Sequence, residues 1–316
     1  MWGGRNLAML YRKLLPPGQL IGESWEISDR QGDVSVITNG PLAGKDLRWL
    51  MEHHERDLLG DAPSQNGKFP LLVKILDAQE RLSVQVHPPA SKAAELGGEP
   101  KTEMWYIAHA SPAAELHVGL RHGVTRADFE QRIQNGTVAN SIHRVSVGVG
   151  DAMFLPSGRV HAIGGGLVIF EIQQNSDTTY RVFDWNRTGA NGKPRELHVP
   201  QSLASIDFDD FEPSLANRSF RRMGSSEVRS LVDDALFHVD LFRFSDRAAV
   251  HLKPGRLQII GSIENRVAIA SAKVVVDLHP GEFCLIPAAL PSLQVIAEAG
   301  ATLLCTGPGK SNLAST

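Results

Sequence analysis

Short segments of alternating apolar and polar residues recur along the whole chain, and Gly, Pro or Asn bounds most of them. A period of two places successive side chains on opposite faces, as in a half-buried β-strand. Because these segments follow one another without a βαβ rhythm, the pattern predicts a mainly β fold, either barrel or sandwich. The predicted strands cover residues 83–87, 116–120, 141–147, 152–155, 167–172, 238–244 and 274–278.

Two other segments have the spacing of apolar residues that is typical of a helix. The first runs from Leu47 to Leu59 and follows Asp46, whose side chain can cap a helix N-terminus. The second spans 126–134, with Thr125 before it and Asn-Gly after it as the stop signal. Both are predicted to be small helical insertions in the β fold.

One segment in the C-terminal third repeats a segment in the first half. Gly281–Pro287 matches Gly150–Pro156 at a constant offset of 131 residues, in the order Gly, acidic residue, apolar run and Pro. The match predicts two related barrels in one chain. We place the first barrel with its helical insertions at 1–200, a connecting segment at 201–234 and the second barrel at 235–316.

Composition narrows the range of functions. With 316 residues and 42% hydrophobic content the chain can form one large domain or two ordinary ones, and a net charge of −3 lacks the basic footprint of a nucleic-acid-binding protein. Cys284 and Cys305 lie in apolar stretches, which favours buried reduced thiols and a cytoplasmic location. The first residues are too charged for a signal peptide or membrane span, so no membrane partner is expected.

Four candidate ligands for a metal ion lie in the first half. Gln85 and His87 share one face of a predicted strand with Cα atoms about 6.6 Å apart, Glu103 opens the return strand, and His161 ends a G-x5-P-x-G-x2-H pattern. Nitrogen and oxygen donors suit Zn²⁺, our first choice, with Fe²⁺, Mn²⁺ and Co²⁺ left open. At most four protein ligands leave room for a water or a substrate oxygen, which is typical of a catalytic site. At the offset of the repeat His161 falls on Ser292, so the second barrel is predicted to be metal-free.

These motifs resemble those of the cupins, and among cupins those of the type I mannose-6-phosphate isomerases, particularly the short bacterial form. The resemblance implies two cupin-type β-barrels (jelly rolls) and a zinc-dependent aldose–ketose isomerase. That enzyme would interconvert mannose 6-phosphate and fructose 6-phosphate through an enediol. The motifs that carry it are Gly22–Ser28, Phe69–Leu76, Ser83–Pro88, Pro100–Tyr106 and Glu171–Trp185.

The resemblance also implies roles for single residues. Gln85, His87, Glu103 and His161 match the zinc ligands of the family, one ion per chain. Arg181 matches its catalytic arginine, and Lys101 matches a lysine near the catalytic centre. Ser83 and Lys74 fall where the family contacts the substrate phosphate, while Glu171 and Asp177 match acidic residues suited to proton transfer.

Several alternatives stay open at this stage. The proton can be carried by Glu171, by Asp177 or by a hydroxide on the metal. The substrate can be another sugar phosphate, since the residues do not fix the sugar, and the oligomeric state is undetermined. A metal-dependent cupin dioxygenase is disfavoured by Arg181 and the cations at the phosphate end. A non-catalytic sugar-binding cupin is disfavoured by the intact ligand set.

Overall fold

A computed structural model of the chain describes residues 2–188, 192–271 and 274–309. The chain forms two compact units, and each unit is assembled from separate stretches of sequence, so contacts between distant residues define them. Unit 1 comprises Met1–Leu7, Leu15–Ser24 and Ile75–Leu215, and unit 2 comprises Ala8–Leu14, Trp25–Lys74 and Ala216–Thr316.

Both predicted helices are confirmed with the predicted bounds. The Asp46 side chain accepts a hydrogen bond of 2.7 Å from the backbone N–H of Trp49, and Thr125 forms a reciprocal capping box with Asp128. Local capping chemistry therefore fixes where these helices begin. The α-helices are α1 (Asn6–Tyr11), α2 (Leu47–Leu59), α3 (Ala90–Ala93), α4 (Arg126–Gln134) and α5 (Val199–Ser205), with a 3-10 turn at Val138–Ser141.

The first ten strands form two five-stranded antiparallel sheets. Sheet A has the order β1-β2-β9-β4-β7, and sheet B has the order β10-β3-β8-β5-β6. The strands are β1 (Glu23–Ile27), β2 (Leu71–Ala78), β3 (Val84–Val86), β4 (Glu103–Ala110), β5 (Glu115–Leu120), β6 (Ile142–Ser146), β7 (Ala152–Leu155), β8 (His161–Ile163), β9 (Leu167–Gln174) and β10 (Tyr180–Phe183).

The remaining ten strands form two further sheets. Sheet C has the order β11-β12-β13-β20-β15-β18, and sheet D has the order β14-β19-β16-β17. The strands are β11 (Arg221–Met223), β12 (Ser226–Asp233), β13 (Phe237–Arg243), β14 (Ala248–His251), β15 (Gln258–Glu264), β16 (Val267–Ala270), β17 (Val275–Leu278), β18 (Phe283–Ile286), β19 (Gln294–Ala297) and β20 (Thr302–Pro308).

Alternating side chains of facing sheets build the apolar cores. Trp105 and Ile107 of β4 pack with Leu116 and Val118 of β5, so sheets A and B enclose one core. Sheet B has a second apolar face, where Val84 and its neighbours pack against residues of α4 and of the 3-10 turn. Sheets C and D enclose a separate core. Burial of these apolar faces is the main favourable contribution to folding.

The predicted mainly β class is confirmed. Each of the seven predicted strands is present, with its ends shifted by at most two residues. The helices are few and short, as predicted for insertions in a β fold.

The internal repeat is visible in the strand pairing. β7 and β18 occupy matching positions at the predicted offset, and Gly150 (φ 88°) and Gly281 (φ 84°) have the same left-handed backbone before them. β4 lies between β9 and β7 in sheet A, and β15 lies between β20 and β18 in sheet C. The order β3-β8-β5-β6 likewise recurs as β14-β19-β16-β17. These strands therefore follow the same order in the two halves of the chain.

The predicted domain limits of 1–200, 201–234 and 235–316 stay a prediction. Unit 2 is discontinuous and includes residues from the first quarter of the chain. Within the part of the chain that the structure describes, every helix is too short or too polar to cross a membrane.

Candidate metal centre

Three side chains from three strand ends of unit 1 meet in one buried cluster. His87 follows β3, Glu103 begins β4 and His161 begins β8, and their ligating atoms all lie within 4.8 Å of one another. Nε2 of His87 is 3.5 Å from Oε2 of Glu103, and Nε2 of His161 is 3.4 Å from Oε1. All three residues are at most 2% exposed. Three of the four predicted ligands thus converge around one small space.

Strand pairing brings the fourth predicted ligand to the same place. Gln85 of β3 lies directly opposite His161 of β8, and its amide Nε2 is 3.3 Å from Nε2 of His161. Rotating the side-chain amide by 180° exchanges its oxygen and its nitrogen. The two orientations have nearly the same shape, so both fit the site. The geometry therefore allows Gln85 to present its oxygen to the cluster.

Backbone carbonyls orient both imidazoles. Nδ1 of His87 donates to the carbonyl oxygen of Thr178 at 2.8 Å, and Nδ1 of His161 donates to that of Arg159 at 2.9 Å. A carbonyl only accepts, so each Nδ1 carries the proton and each Nε2 presents its lone pair to the cluster. This arrangement fixes the tautomer that a metal-ligating histidine requires.

Burial keeps both imidazoles neutral. It lowers the pKa of His87, and the Lys101 ammonium lowers it further against the opposing effect of Glu103. Burial also lowers the pKa of His161 to about 3, although the Glu103 carboxylate opposes the shift. Neutral imidazole is the form that binds a cation.

Lys101 and Glu103 form the charged part of the cluster. Burial alone would raise the pKa of Glu103, but the Lys101 ammonium holds it below its usual range. Burial alone would lower the pKa of Lys101, but Glu103 and Glu171 raise it. The Lys101 Nζ atom is 2.8 Å from Oε2 of Glu103 and 4.0 Å from Oε1 of Glu171. We therefore expect an ionised pair.

The polar atoms of the cluster fit a cation. Within the described residues, Nε2 of His87 and Oε1 of Glu103 are buried and have no hydrogen-bond partner. Buried polar atoms are normally paired, and two imidazole nitrogens with one carboxylate form a donor set that divalent transition metals accept. The unpaired atoms point to a preformed metal site. They leave the identity of the ion open.

Arg181 lies beside this cluster on β10. It pairs across the sheet with Gln85 of β3, and its Nε donates to Oγ of Ser83 at 3.3 Å. A second guanidinium nitrogen, Nη1, donates to the carbonyl oxygen of Glu196 at 2.9 Å. The predicted Arg181 and Ser83 thus contact each other within unit 1, next to one of the predicted metal ligands.

The two acidic candidates differ in exposure. Glu171 on β9 is 4% exposed, whereas Asp177 is exposed on the turn after β9. Lys74, predicted at the phosphate end, is buried in unit 2 with its Nζ 4.3 Å from the ring centroid of Trp25. The roles predicted for Asp177 and Lys74 stay predictions.

Sequence reasoning assigned no role to Trp105, although it lies in one of the quoted motifs. Its Nε1 donates to Oε2 of Glu171 at 2.8 Å, and its ring stands edge-on to that of His161, at 86° and 5.3 Å between centroids. The available signal was the period of two, which places Trp105 on the same strand face as Glu103. The carbonyl of Thr178 was also missed, because no side-chain pattern marks a backbone acceptor.

The second half of the chain has different side chains at the corresponding places. Gln258 begins β15 opposite Ile286, as Glu103 begins β4 opposite Leu155. The inward-facing pair of β14 and β19 is Val250 with Val295. Neither valine carries a ligating atom, so this pair offers no ligand to a metal ion.

The fold and the site together define a mainly β protein with a buried His-Glu-His cluster suited to a metal ion. Residues 1–98 match the family described as phosphomannose isomerase type I, catalytic domain. The chain is 37% identical over 303 residues to the mannose-6-phosphate isomerase ManA of Bacillus subtilis, covering 93% of this chain and 92% of that protein. It is 34% identical over 296 residues to the mannose-6-phosphate isomerase of Streptococcus mutans, covering 93% and 91%. The chain belongs to the type I mannose-6-phosphate isomerase family.

A solved structure agrees with this assignment. The crystal structure of the mannose 6-phosphate isomerase from Bacillus subtilis superimposes with a TM-score of 0.87 at 29% identity, covering 96% of this chain and 95% of that one. The similarity extends over both halves of the chain, so the family assignment applies to the whole sequence.

Proposed function

We propose that the protein is a mannose-6-phosphate isomerase that interconverts mannose 6-phosphate and fructose 6-phosphate. The observation that carries the proposal is the buried cluster of His87, Glu103 and His161, with Lys101 in contact with it. Relatives at 34% and 37% identity, over more than nine tenths of the chain, bear this name.

We propose zinc as the ion, held by His87, Glu103, His161 and the amide oxygen of Gln85. Two neutral imidazoles, one carboxylate and one amide form a set that Zn²⁺ accepts, and Fe²⁺, Mn²⁺ and Co²⁺ are the competing ions. When bound, such an ion supplies positive charge next to the sugar oxygens on which negative charge develops.

The isomerisation moves a proton between C1 and C2 of the open-chain sugar through an enediol. Charge develops on O1 and O2 in this step, so fixed positive groups near those oxygens lower the barrier. Arg181 is held by Ser83 and by the carbonyl of Glu196, and its guanidinium stays protonated throughout. We assign it the stabilisation of the developing oxyanion.

We propose Glu171 as the group that carries the proton. It is buried, its Oε2 accepts from Trp105, and its Oε1 lies 4.0 Å from the Lys101 ammonium. A carboxylate in such a site can accept a proton from carbon and return it to the neighbouring carbon. Asp177 is the second candidate, and its exposure disfavours it because solvent would compete for the proton.

For the substrate phosphate we propose Ser83, whose hydroxyl lies in unit 1 beside Arg181. The role in phosphate binding that the sequence assigns to Lys74 stays a prediction. With two free cysteines and a small-molecule substrate, we also propose a cytoplasmic location.

A coupled assay tests the function. Isomerase activity toward mannose 6-phosphate is measured for three samples of the purified protein: as isolated, after removal of metal with a chelator, and after zinc has been added back. We expect turnover that disappears with the chelator and returns with zinc. A folded, zinc-loaded sample that turns over another sugar phosphate instead would contradict the substrate but keep the reaction. Absence of any isomerase activity would contradict the reaction class.

A further inference from the structure

Trp105 contacts two different parts of the candidate site. Its indole Nε1 donates to Oε2 of Glu171 at 2.8 Å, and its ring system stands nearly perpendicular to the ring of His161, with 5.3 Å between the centroids. Trp105 and Glu171 are also direct cross-strand partners on β4 and β9. One side chain therefore contacts both a metal ligand and the carboxylate that we assign to proton transfer.

The surroundings of Trp105 leave it little freedom. The residue is fully buried, and its neighbours in the apolar core include Met153, Leu155 and Ile169. An indole N–H can only donate, so Oε2 of Glu171 is the acceptor in this contact. The other oxygen, Oε1, faces Lys101 at 4.0 Å. The two carboxylate oxygens of Glu171 thus have different environments.

We propose that Trp105 is a positioning residue of the isomerase reaction. It fixes the rotation of the Glu171 carboxylate so that Oε2 is held by the indole and Oε1 is presented on the side of Lys101, where a proton can be exchanged. This inference rests on the proposed function. Because Trp105 has no exposed surface, it does not contact the substrate, and its loss acts on kcat rather than on KM.

The first test is Trp105→Phe, which removes the N–H donor and keeps an aromatic ring beside His161. Displacement of a catalytic group by about 1 Å costs up to about a hundredfold in rate. We expect kcat to fall about ten- to a hundredfold with KM within about twofold of the wild type and metal content unchanged. An unchanged kcat overturns the inference, and so does a loss that appears in KM alone.

A double-mutant cycle separates positioning from a general effect on the fold. If Trp105 acts through Glu171, then Trp105→Phe changes kcat by less than about twofold when Glu171→Gln is already present. If the two losses multiply, Trp105 acts by another route and the inference is wrong. The matched control is Trp185→Phe, which removes an indole hydrogen bond of 2.6 Å to the carbonyl of Leu82. We expect that variant to keep its kcat.

A second substitution at position 105 and an assay of the wild type keep the test informative if Trp105→Phe is unfolded or inactive. If Trp105→Phe does not fold, as judged by circular dichroism, benzothienylalanine at position 105 keeps the ring size and replaces the N–H by sulfur, with the same expected loss in kcat. Wild-type turnover tests the proposed function separately. A wild type without isomerase activity defeats that function, whereas an active wild type with an equally active Trp105→Phe defeats only the positioning role.

Discussion

The Lys101 ammonium lies 2.8 Å from Oε2 of Glu103, the carboxylate that also faces both histidines of the cluster. Each member of this pair is buried and raises the charged fraction of the other. A cationic group is thus built into the edge of a site that itself suits a cation.

Replacing Lys101 separates catalysis from metal binding. In Lys101→Met a positive charge next to the cation site is removed, so metal affinity is not weakened by repulsion. We expect kcat for mannose 6-phosphate to fall about a hundredfold or more, the scale of a lost acid–base or charge-stabilising group, with metal content unchanged. The control is Lys92→Met, because Lys92 is exposed and its Nζ donates to the carbonyl oxygen of Ala204. An active, metal-loaded Lys101→Met would remove this lysine from the site.

Replacing a histidine of the cluster should lower metal content, whereas replacing a histidine outside the cluster should not. In His161→Ala one ligating nitrogen is lost, and we expect the bound ion per chain to fall close to zero after dialysis. The loss in affinity should exceed the about 10- to 100-fold that follows loss of an outer ligand partner. His143→Ala on strand β6 is the matched control, since His143 is a half-buried histidine away from the cluster. Elemental analysis by mass spectrometry measures both, and equal metal content in the two variants would refute the ligand assignment.

The segment after β9 orients His87 through the backbone carbonyl of Thr178. The Ser176 hydroxyl accepts from the N–H of Thr178 and donates to the carbonyl of Glu99, both at 3.2 Å, and the carbonyl of Thr178 accepts from His87. We expect Ser176→Ala to weaken metal affinity about tenfold by loosening that carbonyl. Ser230→Ala, at an exposed position of β12, should leave the affinity unchanged. Competition with a metal-sensitive dye measures it, and identical affinities would show that the turn is rigid without Ser176.

The two repeated turns differ in what surrounds their glycine. An added Cβ meets no atom within 4 Å at Gly150, but at Gly281 it lies 2.5 Å from Cβ of Tyr11. We expect Gly150→Ala to lower the free energy of unfolding by about 1–2 kcal/mol through the left-handed backbone alone. Gly281→Ala adds overpacking of about 1–3 kcal/mol to that strain. Calorimetry compares the variants, and equal losses would contradict the clash with Tyr11.

The two thiols should be unreactive in the folded protein. Burial raises the pKa of Cys284 to about 11 and that of Cys305 to about 12, and only the thiolate attacks a disulfide reagent. We expect slow reaction of both with a chromogenic disulfide at pH 8 and rapid reaction in guanidinium chloride. Cys305 is buried as predicted, whereas Cys284 is only half-buried. Rapid reaction of both thiols in the native protein would therefore contradict the burial of Cys305.

The raised pKa values of the two thiols also make the free energy of unfolding depend on pH. Above about pH 9 the unfolded chain releases these thiol protons while the folded chain still holds them. The free energy of unfolding therefore falls as the pH rises through that range. Denaturation with urea at pH 8 and pH 10 measures the effect. A curve that rises with pH would contradict the sign.

Local signals made part of this structure predictable. Asp46 and Thr125 fixed the beginnings of α2 and α4 through contacts within one helical turn, and the period of two placed Gln85 and His87 on one face. The side chains that complete the site are paired across strands far apart in sequence, as Trp105 is with Glu171. Spacing along the chain does not encode such pairing, because it depends on which strands become neighbours.

Long-range assembly was the hardest feature to foresee. Residues 8–14 and 25–74 join the last third of the chain in unit 2, although the α2 segment taken alone has only the pattern of an amphipathic helix. A pattern shows that a helix has an apolar face, and only the tertiary contacts show what covers it.

Because unit 2 consists of separate stretches of sequence, its parts leave the ribosome at different times during synthesis. Unit 1 has all its residues once position 215 has emerged, whereas helix α2 belongs to unit 2, most of which lies from Ala216 onward. During that interval the apolar face of α2, with Leu47, Met51, Leu58 and Leu59, is synthesised before its partners. Newly made chains would therefore expose this helix to chaperones while the metal-binding half is already complete.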